Sequence, residues 1–292
     1  MRTASLIGLL SLVLAGVGCN GPAPATAFVE QAERLHGSAL ASQAITDPDA
    51  HDYVQLVGKR IADAAHAIDP GKTHDSMFGQ IEFDLEASAV PNVFPTGGSH
   101  IYVYDGLLQI CQTEDQLAAA MAHAFAHAMN LDVEHIGIVP DPNDSLSNVG
   151  WQFVTHRFTV EQEQAADKLA FDIFVQAGYD PGQFVALFEQ LADRYPAGQA
   201  ADRIPLIVRT QTARQWAQAT PHQRRPLPVA DPKTFMALRR SVAGRAGGSD
   251  AVLAAVILRA LPNCLLAADL PEQQDAQEKL RPAAPAKRLE PN

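Results

Sequence analysis

Two histidines, His123 and His127, stand four residues apart in an alanine-rich apolar run, Leu117 to Asn130, which reads LAAAMAHAFAHAMN. At 3.6 residues per helical turn, positions i and i+4 stack on one face. Two imidazoles so placed can share one zinc ion. Such a site needs at least a third ligand. Glu163, on a later helical stretch, is the candidate. Asp167 lies at i+4 from Glu163 on the same face, where a carboxylate can hold a histidine ligand by its second ring nitrogen. The bland alternatives are a histidine pair that merely packs in a core and an Asp167 that is a solvated helix charge. Glu161 reads as a surface charge, and His135 and His156 as loop histidines.

These residues need a scaffold. Val54, Val57, Ile61 and Ala65 recur at helical spacing and predict an amphipathic helix over Tyr53 to Ala67, ended by Asp69-Pro70-Gly71. Gln80 to Ala89 alternates Ile81, Phe83 and Leu85 with Glu82, Asp84 and Glu86, the pattern of a strand with one buried face. Pro91 to Gly98 reads as a loop. His100 to Tyr104 is β-branched and aromatic, a second strand. Asp105-Gly106 breaks it, and Leu107 to Cys111 turns helical. Thr113 with Gln116 is a capping-box pattern that starts the histidine helix. Asp132 to Val149 reads as a loop. A helix follows over Thr159 to Ala177, stopped by Gly178-Tyr179-Asp180-Pro181. Phe184 to Tyr195, Lys233 to Ala243 and Ala251 to Leu261 complete the helices, and no internal repeat is evident.

The chain of 292 residues has 47% hydrophobic and 19% charged residues, normal for a core-forming protein. Its net charge of −11 argues against nucleic-acid binding, which needs clustered Lys and Arg. Residues 1–18 read as a signal peptide, with Arg2 ahead of the apolar run Leu6 to Ala15. Cys19 after small residues resembles a bacterial lipobox, although Gly16 stands where leucine is usual. An ordinary secretory signal with an incidental cysteine is the alternative. Residues 19–28 would be a lipid-anchored tether, 29–270 the folded domain and 271–292 a disordered tail. The membrane would be met only through the lipid on Cys19. Cys111 and Cys264 do not make a disulfide framework, and the sequence does not settle whether they pair.

Several motifs in the right order resemble peptidase family M48, the HtpX- and BepA-like gluzincin zinc metallopeptidases. They are Asn92 to Leu108, the histidine helix, Phe158 to Asp167 and Gly178-Tyr179-Asp180-Pro181. The resemblance implies an α+β, mostly helical, zincin-like fold with a small antiparallel sheet and an active-site helix. It implies one zinc ion held by His123, His127 and Glu163, with Asp167 behind them. It also implies that Gly97-Gly98 leads into an edge strand, Ile101-Tyr102-Val103, that seats an extended substrate. In the family's H-E-x-x-H, the residue after the first histidine is the general base; here it is Ala124. Further departures are Val160 for an arginine, Ala165 for an acidic residue and, on a looser alignment of Tyr195-Pro196 and Arg203-Ile204, Tyr195 for a histidine.

Positioned acid–base catalysis is worth roughly 10²–10⁴-fold per group, and alanine can neither accept nor deliver a proton. Glu134 and Glu161 lack the helical register of the missing residue. Three functions therefore stand open. The expected one is a pseudopeptidase of the bacterial cell envelope, facing the periplasm, that keeps its zinc and its groove for a polypeptide substrate or an envelope partner protein. The second is an active zinc metalloendopeptidase in envelope protein quality control. The third is a metal-free structural role.

Overall fold

The computed structural model describes residues 30, 32–34, 36–37, 45, 47–73, 81–88, 91–96, 98–135, 158–193, 200–221 and 232–242. The expected signal peptide, Cys19, the tether, Cys264, the helix over Ala251 to Leu261 and the C-terminal tail lie outside them. So do His156 and Tyr195.

The first long helix, α1 (Pro48–Ile68), starts earlier than its apolar periodicity suggests. Asp47 caps it by accepting from the Ala50 amide at 3.2 Å, and Pro48 sits where a missing N–H costs nothing. The Asp-Pro pair is thus the start signal, ahead of the first apolar contact. Its buried face includes Tyr53, Val54, Val57, Gly58 and Ile61. Gly58 is required by close approach, since a Cβ there would lie 2.1 Å from the Phe83 ring. A single turn, α2 (Pro70–Thr73), follows.

Three strands form one sheet in the order β1-β3-β2: β1 (Glu82–Glu86), β2 (Val93–Pro95) and β3 (His100–Tyr104). The sheet is mixed and not antiparallel. β2 pairs antiparallel with β3, while β1 pairs parallel with it, Asp84 opposite Tyr102. The connection over residues 87–99 is long enough to return the chain in the same direction, and it spends part of its length on β2. That short strand was hidden by prolines that read as a loop. β3 is consequently the central strand, so the expected substrate-seating edge at Ile101-Tyr102-Val103 is hydrogen-bonded on both sides. β2 is the strand that packs beside the histidine helix.

The alternation in β1 predicted one buried face, yet both faces are covered. Phe83, Leu85, Ile101 and Val103 join the main core against the helices. Asp84, Glu86, His100, Tyr102 and Tyr104, on the other face, are also buried, and only Glu82 is exposed within β1. A second layer therefore lies on the sheet, and the helical residues at 32–34 and 36–37 contribute to it.

Helix α3 (Asp105–Ile110) begins at the Asp-Gly pair expected to break the chain. Asp105 accepts from the Ser88 amide and Gly106 donates to the Ser88 carbonyl, which ties the turn to β1. Helix α4 (Glu114–Met129) carries the histidines, and Thr113 caps it by accepting from the Gln116 amide. Gln116 accepts instead from the Gln112 amide, so the box is not reciprocal. A short α5 (Asp132–His135) follows in what read as loop. Helix α6 (Val160–Gln176) has a full capping box between Thr159 and Gln162. It ends on Gly178 at φ 87°, the left-handed C′ position.

Helices α7 (Pro181–Asp193), α8 (Ala200–Ala219) and α9 (Pro232–Val242) complete the fold. No apolar periodicity announces α8. Pro205 and a polar composition disguise it, and its inward face is Leu206, Arg209, Thr210 and Ala213. An arginine in that stripe defeats a search for apolar periodicity. The core joins α1, the sheet, α4, α6 and α7, with α4 buried on nearly all sides. Alanines at 118, 119, 120, 122, 124 and 126 let its neighbours approach that closely. Among the described residues, no helix is long and apolar enough to cross a membrane.

Candidate metal centre

Helix α4 delivers His123 and His127 from one face, and α6, packed along it, delivers Glu163. The two imidazole Nε2 atoms are 3.1 Å apart. Glu163 Oε2 lies 3.4 Å from His123 Nε2 and 3.8 Å from His127 Nε2. A tetrahedral zinc with ligand bonds of about 2.0–2.1 Å sets its ligand atoms about 3.3–3.4 Å apart. The three donors match that spacing, and they form one of the groups able to hold a metal ion. Both Glu163 oxygens are buried and meet no hydrogen-bond geometry, although Oε2 lies against Arg209 and both imidazoles, so the carboxylate keeps lone pairs it can offer to a metal. The residues therefore fit zinc.

Around them stands a support that the sequence reading found only in part. Asp167 Oδ1 stands 3.1 Å from His123 Nδ1, as expected for a carboxylate behind a ligating histidine. Asp132 performs the same service for His127, with Oδ2 2.8 Å from Nδ1. Phe158 stacks on the His127 ring at a centroid distance of 3.9 Å. Asp132 lies five residues from His127, just past the end of α4, and no helical register pointed to it.

Arg209 of α8 is the larger surprise. Its Nε and Nη2 reach the two oxygens of Asp167, each at 2.6 Å, and its Nη1 lies 3.0 Å from Glu163 Oε2. The guanidinium also sits over the Phe188 ring, 5.0 Å from its centroid. One buried cation thus answers two buried carboxylates.

The electrostatics follow from burial and these pairings. Burial pushes the Glu163 carboxyl up, but Arg209 and the two histidines outweigh it and hold it well below the usual carboxylate range. Asp167 is lowered for the same reason, with Arg209 the main opponent of burial. Burial pulls His123 toward neutrality, and Asp167 and Glu163 overcome it and raise the imidazole to about 9. A metal on Nε2 would take the place of that proton.

The remaining sequence-predicted positions divide clearly. Ala124 is 0% exposed, and the donors His123, His127 and Glu163 are 1%, 0% and 1% exposed. Glu161 is a surface charge, as expected. Val160 is 45% exposed and Ala165 also faces solvent. The side chains of Glu134, His135 and Arg203 lie outside the described residues.

Residues 49–139 match the model of peptidase family M48. The match covers both histidines and Ala124 and stops before Glu163. Among curated relatives, the mitochondrial metalloendopeptidase OMA1 of Schizosaccharomyces pombe is 28% identical over 125 residues, 38% of this chain and 37% of its own length. The beta-barrel assembly-enhancing protease of Escherichia coli O157:H7 is 23% identical over 231 residues, 69% of this chain and 44% of its own. The OMA1 of Saccharomyces cerevisiae is 22% identical over 159 residues, 48% of this chain and 45% of its own. The chain therefore spans less than half the length of each. Together these similarities support the M48 zinc metallopeptidase family, and the buried His-His-Glu group is consistent with it.

Proposed function

We propose that this chain is a zinc-holding, catalytically impaired relative of the M48 peptidases that binds polypeptides without cleaving them efficiently. One observation carries the reading. The donor set is complete and supported, while the position after His123 is a buried alanine. Zinc, when bound, would lower the pKa of a coordinated water to about 7. His123, His127 and Glu163 would hold it, and Asp167 and Asp132 fix the two rings through their other nitrogens. No residue of this group is placed to take the water's proton and hand it to a leaving amine: Asp167 is engaged by Arg209 and His123, and Asp132 by His127. Three protein donors leave a fourth tetrahedral position for a water, and solvent barely reaches the donors themselves. Envelope localisation, a lipid on Cys19 and a polypeptide partner belong to the same proposal, supported by the N-terminal pattern and by a bacterial relative named for β-barrel assembly.

The test is peptide cleavage by the native chain and by Ala124→Glu, each with zinc and with a chelator. The native chain should cleave unfolded polypeptide at a trace rate, and the glutamate should raise it roughly 10²–10⁴-fold. A native rate that a chelator abolishes and the glutamate scarcely improves would overturn the reading.

A further inference from the structure

On the opposite face of the sheet from the histidine helix, a second set of metal-type donors converges. Phe83 and Leu85 of β1 face the core that contains α4, and Phe83 stacks with Phe125 at a centroid distance of 6.3 Å. Asp84 points the other way. So does His100 of β3, whose backbone pairs with Glu82 in the parallel ladder. His36, from the helical segment lying on this face, completes the group. We propose that His36, Asp84 and His100 form a second binding site for a divalent transition cation of the zinc class, separate from the His123 centre.

The geometry carries this in four steps. Each residue offers one ligand atom, and these atoms lie within 4.8 Å of one another. Both imidazoles turn the same nitrogen to the same carboxylate oxygen: Asp84 Oδ2 is 2.8 Å from His100 Nδ1 and 3.9 Å from His36 Nδ1. Two imidazoles and a carboxylate are a standard donor set for zinc, and imidazole also suits nickel and copper. The other nitrogen of His100 already has the partner that a ligating histidine needs. Its Nε2 lies 3.5 Å from Glu33 Oε2, and Glu33 is pinned by the amide and hydroxyl of Ser99, both 2.8 Å from Oε1. Binding at Nδ1 moves the ring proton to Nε2, where Glu33 accepts it.

The rings also show that a cation is compatible here. His36 and His100 are stacked at 3.3 Å with their planes within 10°. Two imidazolium rings would repel at that distance, so at least one ring is neutral and presents a lone pair. Tyr102 Oη, 3.0 Å from His36 Nδ1, is the group a metal would displace. The in-plane lone pairs of parallel rings do not converge, so a shared cation would require His36 to turn out of the stack. Its side chain is 16% exposed, at the rim of the cluster, and can do so. The consequence is structural: a metal here staples the segment bearing Glu33 and His36 to the central strand.

The experiment counts metal on the full-length chain. The protein is stripped with a chelator, dialysed against zinc and assayed for bound zinc, and cobalt is titrated in parallel by visible absorption. The wild type should hold two equivalents. His123→Ala/His127→Ala should hold one, and so should His36→Gln, a conservative change at the rim. Circular dichroism on each variant reports folding. Asp84→Asn, which keeps the size of the side chain, is the second variant and should also leave one equivalent. A wild type with one equivalent that vanishes in His123→Ala/His127→Ala overturns the second site. A single equivalent that survives that double change and is lost in His36→Gln supports it, and overturns the reading of the first centre instead.

Discussion

Arg209→Met removes the buried guanidinium that answers both Glu163 and Asp167 beside the protonated His123 ring. The arginine is 6% exposed, and the carboxylates are 1% and 2% exposed. Deleting one partner of a buried ion pair leaves the other charge without compensation, at about 3–5 kcal/mol. Methionine keeps most of the stem that packs over Phe188, so the loss is mainly electrostatic. For a domain of this size each kcal/mol is worth about 2–4 °C in Tm, giving a fall of about 6–20 °C in chelator. The metal changes the sum. A divalent cation on Glu163 supplies the charge that Arg209 gave, so the same substitution should cost less in saturating zinc. By linkage, the variant must bind zinc more tightly than the wild type. The assay is urea unfolding of both proteins with chelator and with zinc. Adding Asp167→Asn to the variant should recover part of the loss, because it removes the orphaned charge. The reasoning fails if Arg209→Met costs under 1 kcal/mol in chelator, or if its cost is the same with and without zinc.

Three further outcomes can be checked on the same preparations. Glu86 is fully buried, neither oxygen has a hydrogen-bond partner, and burial with the nearby Asp84 raises its carboxyl to about 8. The unfolded chain ionises it near 4.5, so between pH 4.5 and 8 unfolding releases a proton and rising pH destabilises the fold. At about 1.4 kcal/mol per tenfold change in proton affinity, the ceiling is roughly 5 kcal/mol. Glu86→Gln should match the wild type near pH 4 and be more stable at pH 9 in urea titrations, and parallel pH profiles would count against it. Gly58→Ala places a Cβ 2.1 Å from the Phe83 ring, and overpacking costs about 1–3 kcal/mol. The gain in helix propensity returns about 1 kcal/mol, so a net loss in thermal unfolding is expected. Asp132→Asn should weaken zinc binding about 10–100-fold in competition with a chelating dye, because Asp132 orients His127 through Nδ1. Unchanged affinity would show that the ring needs no such support.

The histidine pair, Glu163 and Asp167 were legible because each pair shares one helix at i, i+4. A fixed helical repeat turns sequence spacing directly into a common face. The same logic, plus the capping signal at Thr113 and the glycine stop at Gly178, placed α4 and α6. What the sequence could not show depends on contacts between distant elements. Arg209 belongs to a helix whose inward face is partly charged, and only the packing of α8 on α6 and α7 makes that charge internal. The parallel pairing of β1 with β3 follows because β2, between them only in sequence, takes the far side of β3, which alternation along one strand does not report. Glu82, Asp84 and Glu86 read as a solvent face, yet a second layer buries two of them and brings His36 onto His100. Local periodicity determined which residues could be donors. The tertiary structure decided which charges answer them, because a buried charge finds its partner through space and not along the chain.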